Sequence, residues 1–156
     1  MAMENAVIHL GTDHAGFRLK EAVKRHLEAA GRAVIDHGTH DESPSDYPDF
    51  VIPAVEAAMM EGGAAIVFGG SGNGECMAAN KVAGARAALV YDEQTAILSR
   101  EHNDANVLGL GGRTVTSDEA LTLRLVDLWL TTSFSGDERH ARRIGKITAF
   151  EHRHQA

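Results

Sequence analysis

Short apolar runs alternate with longer segments of helical periodicity along the whole chain. The runs are each followed by turn or polar residues, and they cover residues 6–10, 33–36, 64–68, 87–90 and 107–110. Between the first two runs, Leu19, Val23, Leu27 and Ala30 recur at the spacing of one helix face. Strands that are apolar throughout and separated by helices are typical of a parallel sheet covered on both faces. We therefore predict an α/β fold, a three-layer α/β/α sandwich around a five-stranded, parallel, Rossmann-like sheet.

The predicted helices carry start signals of their own. Pro48 suits an early position in the second helix. Asp92 is suited to cap a fourth helix, and Ser117 a fifth. A last helix over residues 137–150 carries most of the positive charge near the C-terminus. The sequence shows no repeat and no linker, so the 156 residues predict a single domain.

Composition narrows the classes of function. Fifteen basic and 22 acidic residues give a net charge of −7, which argues against a nucleic-acid-binding surface. The single cysteine, Cys76, excludes a disulfide framework and a cysteine-based zinc site, and it suits a reducing compartment. No apolar run approaches the ~20 residues of a membrane-spanning helix. We expect a cytoplasmic protein with no nucleic-acid or membrane partner.

A glycine-rich loop, GGSGNGE at residues 69–75, directly follows the third predicted strand. Such a loop aims several backbone N–H groups at one point and can bind a phosphate or a transient oxyanion. A turn that needs glycine only for close packing is the plainer alternative. A P-loop is excluded because the motif lacks Gly-Lys-Ser/Thr. A dinucleotide site remains a weak alternative, since Asp92 lies 20 residues beyond Gly72.

Glu75 ends this loop, and its position suggests a catalytic base. Proton abstraction next to a carbonyl needs a base beside donors that stabilise the oxygen anion. The equally weighted alternative is an acidic residue in a first helical turn that merely complements the helix dipole.

Three further polar residues lie near predicted element ends. Asp13 and His14 follow the first strand, where they could serve acid–base chemistry or contact a phosphate, although Asp13 could simply cap the next helix. His102 ends the fourth helix and could protonate a sugar ring oxygen, or it could complement the helix dipole.

Positive charge is concentrated in the last third of the chain. Arg139 and Arg143 are four residues apart on one helix face, so both could approach one dianion, and Arg113 follows the fifth strand. A solvated basic face is the alternative. His37 and His40 form an H-x-x-H pair without a carboxylate or cysteine at ligand spacing, so we predict no metal site.

Taken together, these motifs resemble the type B ribose-5-phosphate isomerases, in a family that includes galactose-6-phosphate and allose-6-phosphate isomerases. The resemblance covers nearly the whole chain in order, through GTDHAGFRLK, DYP, GGSGNGECMAANKVAGARAAL, REHNDANVLGLGGR and SGDERHARRI. It implies a metal-independent, cofactor-free aldose–ketose isomerase that interconverts D-ribose 5-phosphate and D-ribulose 5-phosphate through a cis-enediolate, in the pentose phosphate pathway. The same chemistry on a four- or six-carbon sugar phosphate, and a non-catalytic sugar-phosphate or nucleotide-binding module, are the alternatives.

The resemblance also implies roles for individual residues. Many members carry a cysteine base just before the glycine core, where this chain has Gly69, so this chain is similar to the branch whose base is a glutamate, here Glu75. The remaining implied roles are an anion hole at Gly70, Ser71, Gly72, Asn73 and Gly74, with Ser71 contacting the substrate; ring opening by Asp13 and His102; enediolate contact by Asn103; and phosphate binding by His14, Arg113, Arg139 and Arg143, with His140 nearby.

Members of the family are homodimers or dimers of dimers whose sites combine residues of two subunits. By this resemblance, His102, Asn103 and the arginines would face Glu75 of a partner subunit, and the helix at 137–150 would pack on that partner.

Overall fold

The computed structural model describes residue 3, residues 5–114 and residues 117–154. Within this part of the chain, five strands alternate with helices, and two helices follow the last strand. The strands are β1 (Ile8–Thr12), β2 (Val34–Asp36), β3 (Ala64–Gly69), β4 (Ala87–Leu89) and β5 (Val107–Gly111). The helices are α1 (Phe17–Ala29), α2 (Pro48–Glu61), α3 (Asn73–Ala79), α4 (Glu93–Glu101), α5 (Glu119–Thr131) and α6 (Glu138–His154).

All strand pairs are parallel, and their order across the sheet is β2-β1-β3-β5-β4. The central strand β3 pairs with β1 through Ile8–Ala64 and with β5 through Ala65–Val107. The predicted five-stranded parallel sheet is therefore confirmed, with boundaries moved by one or two residues. Since β1, β3 and β5 are neighbours, the loops that follow them meet at one edge of the sheet, where α/β proteins bind their ligands.

Helices cover both faces, which confirms the predicted three layers. One apolar cluster joins β1, β3 and β5 to α1, α4 and α5, and the other joins β3 and β5 to α2 and α3. Successive residues of β3 alternate between them: Ile66 and Phe68 enter the first cluster, while Ala65 and Val67 enter the second. Residues on both faces of the strand are thus buried, which explains why it is apolar throughout.

On the second face, glycines let helices approach the sheet closely. A Cβ at Gly11 on β1 would lie 2.7 Å from the carbonyl oxygen of Phe50 on α2, and a Cβ at Gly109 on β5 would lie 2.2 Å from Cys76 Sγ on α3. Cys76 therefore packs as a small apolar residue, as predicted. Burial raises the pKa of its thiol to about 12. The contact of the thiol with Gly109 therefore sets how closely α3 approaches the sheet.

The helix signals are mostly confirmed. Asp92 caps α4 by accepting a hydrogen bond from the Thr95 N–H at 2.7 Å, and α2 begins at Pro48. The prediction that Ser117 caps α5 is wrong. The N–H of Leu121 donates to Asp118 Oδ1, so Asp118 is the cap and the helix begins at Glu119. None of the helices in the described ranges is long and apolar enough to cross a membrane.

A buried ion pair ties α1 to the end of β2. Lys20 Nζ, on a side chain that is 0 % exposed, lies 2.6 Å from Asp36 Oδ2, and Lys24 Nζ lies 3.0 Å from the same oxygen. Asp36 Oδ1 accepts the N–H of Gly38. Burial raises the pKa of Asp36, but the hydrogen bonds from Lys20, Gly38 and Lys24 outweigh it, so the pKa is lowered overall.

We predict that Asp36→Asn lowers the free energy of unfolding at pH 7 by about 3 kcal/mol, because buried Lys20 loses its strongest partner. A carboxylate with a lowered folded-state pKa stabilises the fold above its unfolded pKa and ceases to do so as pH falls through the folded value. The difference between the two proteins in urea denaturation should therefore shrink on acidification. Asp127→Asn, which removes an exposed partner of His26, should change little at any pH.

Candidate active site

The glycine loop turns sharply between β3 and α3. Gly72 has a φ of 79°, and a Cβ there would lie 2.7 Å from Leu89 Cδ1, so conformation and space both require glycine. The carbonyl of Gly72 accepts the first helical hydrogen bond from Cys76, and Ser71 Oγ accepts the N–H of Asn73 at 3.3 Å. The first N–H groups of a helix have no partners within it, so the turn directs donors toward the sheet edge.

Glu75 folds back from α3 onto the end of β3. Its side chain is 4 % exposed, and a Cβ at Gly69 would lie 1.8 Å from its Oε1 and 2.1 Å from its Cδ. The carboxylate therefore fills the space that any side chain at position 69 would need. The placement explains why glycine and glutamate occur together at these two positions in this chain.

The surroundings of Glu75 favour its protonated form. Burial raises the pKa of its carboxyl group, the hydrogen bond with its own backbone N–H opposes this, and the negative charge of Asp13 adds to the rise. Asp13 itself accepts the N–H groups of Ala15 and Gly16 at 2.9 and 3.3 Å, in the turn that precedes α1. The N-cap residue of α1 is Gly16 and no side chain caps this helix, so the helix-capping alternative for Asp13 is wrong. The same residue thus orders the turn before α1 and influences the candidate base.

His14 and Arg113 lie at this edge of the sheet, after β1 and β5 respectively. His14 Nδ1 is 3.2 Å from both the backbone N and O of Ser45, and the Arg113 side chain passes 3.6 Å from where a Gly70 Cβ would stand. Both residues line a cavity of about 360 Å³. We call Asp13, His14, residues 70–75 and Arg113 the carboxyl-edge half-site.

His102 and Asn103 lie at the opposite edge of the sheet. They follow α4 and precede β5, and the carbonyl of nearby Asn106 accepts the N–H of Ala65 at the start of β3. The five residues of β5 separate the two edges by about 17 Å at ~3.3 Å per residue. Within one chain, these two residues therefore do not join the glycine loop.

The basic helix α6 begins at the same edge as His102. The rings of His102 and His140 lie 4.2 Å apart, and His140 Nδ1 is 2.9 Å from Ser135 Oγ. Burial lowers the pKa of His140, and the nearby positive groups, His102 foremost, lower it further. Arg139 and Arg143 are exposed on the same helix, and Arg139 pairs with Asp137 at 3.1 Å. We call His102, Asn103, Arg139, His140 and Arg143 the amino-edge half-site.

Tyr47 is a site residue that the reasoning from motifs missed. A Cβ at Gly74 would lie 2.8–3.0 Å from its ring and hydroxyl, so Tyr47 covers the glycine loop from the start of α2. The DYP motif contains this tyrosine, but nothing in its spacing places it opposite residue 74.

Two alternative sites gain no support. The Asp92 carboxylate is occupied in capping α4, so it is not presented as a ribose-binding acid. His37 Nε2 lies 3.0 Å from Nδ1 of the buried His9 rather than joining His40 in a ligand set. Among the described residues, no group of three or more His, Cys, Asp or Glu side chains is placed to hold a metal ion.

Comparison with known proteins places the chain in a family. The sequence model described as Ribose/Galactose Isomerase matches residues 8–147. Ribose-5-phosphate isomerase B of Mycobacterium leprae is 47 % identical over 99 % of this chain and 95 % of that protein. The Clostridium thermocellum enzyme of the same name superimposes with a TM-score of 0.90 at 44 % identity, over 94 % of this chain and 98 % of that one. The Mycoplasma genitalium enzyme, solved with bound ribulose-5-phosphate, has a TM-score of 0.88 at 40 % identity, covering 94 % and 96 %.

These matches, together with the parallel α/β sandwich and the glycine loop beside a carboxylate, define the protein as an aldose–ketose isomerase. The chain belongs to the ribose/galactose isomerase family. The resemblance indicated by the motifs is therefore confirmed, and with it the expectation of an isomerase.

We predict that Gly69→Ala folds normally but lowers kcat by about 10²-fold, since the new Cβ must push the tip of Glu75 aside by an ångström or more. The displaced group is the flexible end of a side chain, so thermal stability should hardly change. Glu28→Ala, at an exposed position of α1 outside both half-sites and the proposed subunit interface, is the control and should retain wild-type kcat. Near wild-type kcat in Gly69→Ala would contradict a role for the observed carboxylate position.

Proposed function

We propose that this chain is a metal-independent, cofactor-free isomerase that interconverts D-ribose 5-phosphate and D-ribulose 5-phosphate through a cis-enediolate. The observation that carries the proposal is the buried Glu75 carboxylate, held by contact with Gly69 beside the glycine loop. Relatives that match nearly the full length bear the name ribose-5-phosphate isomerase B, which gives the substrate. The reaction belongs to the pentose phosphate pathway, and we assign the enzyme to the cytoplasm.

The first step opens the furanose ring. Asp13 takes the proton of the anomeric hydroxyl, and His102 donates a proton to the ring oxygen. The bond between C1 and the ring oxygen breaks as the C1 carbonyl forms. Asp13 Oδ1 is held by two backbone N–H groups, which fixes the orientation of its carboxylate.

The second step moves a hydrogen between neighbouring carbons. Glu75 removes the proton from C2, and the electron pair passes to the C1 oxygen to give the enediolate. Residues 70–74 donate N–H groups to this anion, Ser71 contacts it near the reacting carbons, and Asn103 binds its oxygens. A proton then passes from O2 to O1, and Glu75 returns its proton to C1, which leaves the ketone at C2.

The raised pKa of Glu75 suits both halves of this step. A base works best when its pKa lies near the working pH, because it must take up the proton and then release it. Burial and Asp13 move the carboxyl group in this direction from its ordinary range.

The phosphate is bound by positive charge gathered from two places. His14 and Arg113 belong to the carboxyl-edge half-site, and Arg139 and Arg143 to the amino-edge half-site. Because the whole chain carries a net charge of −7, this local excess of positive charge is where a phosphate dianion would bind most favourably. Binding energy at the phosphate then places C1 and C2 against Glu75.

We further propose that each complete site combines the two half-sites of different subunits in a homodimer or a dimer of dimers. Within one chain the half-sites lie at opposite edges of the sheet, so a partner has to supply the missing half. Exposed apolar residues suit such an interface: Ile147 and Phe150 on α6, Met77 on α3 and Tyr91 after β4. The helix predicted at 137–150, observed as α6, would pack on the partner.

Two alternative functions are distinguished by which ligand the protein binds and whether it converts that ligand. The same chemistry on a four- or six-carbon sugar phosphate would appear as a higher kcat/KM in a panel of phosphorylated aldoses assayed for ketose formation. A sugar-phosphate or nucleotide-binding module would bind its ligand in calorimetry but would exchange no substrate proton with deuterated water. Neither is favoured by a particular contact, and a binding module gains nothing from a buried carboxylate beside an anion site.

We predict that Glu75→Gln lowers kcat by about 10²–10⁴-fold and leaves KM nearly unchanged, because the amide keeps the shape but accepts no proton. Exchange of the C1 hydrogen of ribulose 5-phosphate with deuterated water should fall by the same factor. A kcat close to that of the wild type would refute Glu75 as the base.

A rescue variant provides a second test of Glu75 as the base. Glu75→Ala clears the volume beside residue 69, so adding Gly69→Cys puts a thiol where the carboxylate was. We expect the double variant to exceed Glu75→Ala by about 10-fold or more in kcat, since a thiolate can take over as base. The matched control is Gly69→Ala in the Glu75→Ala background, which should recover nothing.

The shared site predicts complementation between inactive subunits. We expect Glu75→Gln and His102→Asn homo-oligomers to be nearly inactive. After unfolding and refolding together, an equal mixture should regain about a quarter of wild-type activity, because half of the statistical dimers carry one intact site of two. Each variant refolded alone is the control, and a mixture that stays inactive would show that the site lies within one subunit.

A further inference from the structure

A second cluster of charged side chains lies at the same edge of the sheet as the amino-edge half-site and takes no part in the proposed catalytic steps. Arg86 precedes β4, Arg100 is in the last turn of α4, and Asp104 belongs to the turn that joins α4 to β5. This connecting turn, residues 102–106, also carries His102 and therefore sets the position of the proposed ring-opening acid.

The two guanidinium groups hold three consecutive carbonyl oxygens of the connecting turn. Arg86 Nε donates to the carbonyls of Asn103 and Asp104 at 3.1 and 3.0 Å, and its Nη2 donates to that of Asp104 at 2.7 Å. Arg100 Nη1 donates to the carbonyl of Ala105 at 2.6 Å. A planar guanidinium presents several donors in fixed directions, so these contacts define the path of the backbone and not only its charge.

The Asp104 carboxylate bridges the two arginines. Its Oδ2 lies 3.1 Å from Arg86 Nη2, and its Oδ1 lies 2.8 Å from Arg100 Nη1. Asp104 has a φ of 45°, a left-handed conformation that aspartate and asparagine adopt more readily than most residues. The ion pairs thus hold the turn in a conformation that few other sequences would adopt.

Arg100 connects this arrangement to the core. Its side chain is 2 % exposed, it lies 6.0 Å from the ring of buried Trp129, and its Nε is 3.3 Å from the carbonyl of Thr132. The connecting turn is therefore fixed to α5, which packs on the first face of the sheet.

We infer that Arg86 and Arg100, bridged by Asp104, are positioning residues that hold His102 where it can protonate the sugar ring oxygen. The inference rests on the proposed function, because it assigns the residues a part in ring opening. The imidazole projects from the first residue of a turn whose next three carbonyls are fixed, so loosening those contacts moves the imidazole. A displacement of about 1 Å can cost a reaction ~10²-fold.

The two directions of the reaction separate this role from general damage. Ribose 5-phosphate is a closed ring and has to be opened. Ribulose 5-phosphate has no free hydroxyl on C5 to close a five-membered ring on its carbonyl, so it reaches the enediolate without ring opening. The readout is the ratio of kcat/KM for ribose 5-phosphate to the rate of deuterium uptake at C1 of ribulose 5-phosphate. Any effect through Asn103 on the shared enediolate cancels in this ratio.

Arg86→Lys keeps the positive charge but loses the fork that spans two carbonyls and a carboxylate. We expect it to lower the ratio about 10- to 100-fold, in parallel with His102→Asn. Asp104→Asn, which tolerates the left-handed conformation, should lower the ratio in the same direction and provides a second variant if Arg86→Lys folds poorly. Arg124→Lys, which alters an exposed arginine–glutamate pair with Glu93, is the matched control and should leave the ratio unchanged.

The possible outcomes test the positioning role and the proposed ring-opening role of His102 separately. If His102→Asn lowers the ratio while Arg86→Lys and Asp104→Asn leave it unchanged, or lower both rates equally, the positioning role is overturned and the proposed function stands. If His102→Asn itself leaves the ratio unchanged, its role in ring opening fails, and the inference fails with it.

Discussion

The candidate site depends on the contact between a carboxylate and a residue that has no side chain. Glu75 is brought against Gly69 because α3 starts immediately after a left-handed turn at Gly72, and α3 lies close to the sheet because Gly109 admits the thiol of Cys76. Each glycine removes a Cβ that would collide with a neighbour. Together they bury an ionisable group at the sheet edge, where water cannot fully solvate its charge and its pKa rises. The position of the Glu75 carboxylate and its raised pKa thus both result from packing.

The parallel sheet then imposes a second constraint. Loops after the strands gather at one edge and loops before them at the other, so a chain of this topology cannot bring the residues before β5 to the glycine loop after β3. The carboxyl-edge half-site holds the proposed base, the proposed anion donors and part of the proposed phosphate site. The amino-edge half-site holds the proposed acid and two exposed arginines. The proposed homodimer would resolve this constraint, because in a two-fold dimer each contact occurs twice and each subunit could complete the site of the other.

Much of this organisation could be predicted from the chain. The apolar runs gave the strands of the sheet, and the spacing of Leu19, Val23 and Leu27 gave the buried face of α1. Asp92 was identified as a cap because capping is a local interaction. The prediction of Ser117 as a cap is wrong because Asp118 is also a good cap, and the choice between adjacent residues depends on where the helix packs. Tyr47 and the cluster of Arg86, Arg100 and Asp104 were missed because their partners are distant in sequence or are backbone atoms.

The sequence by itself determined the fold class, the glycine loop and the presence of a carboxylate beside it, because these follow from periodicity and from spacing within a few residues. The tertiary structure alone decided that the carboxylate of Glu75 occupies the space of the missing side chain of Gly69, that burial and the charge of Asp13 raise its pKa, and that His102 lies at the far edge of the sheet. These are matters of distance between segments far apart along the chain, and only the packing of helices on the sheet fixes such distances.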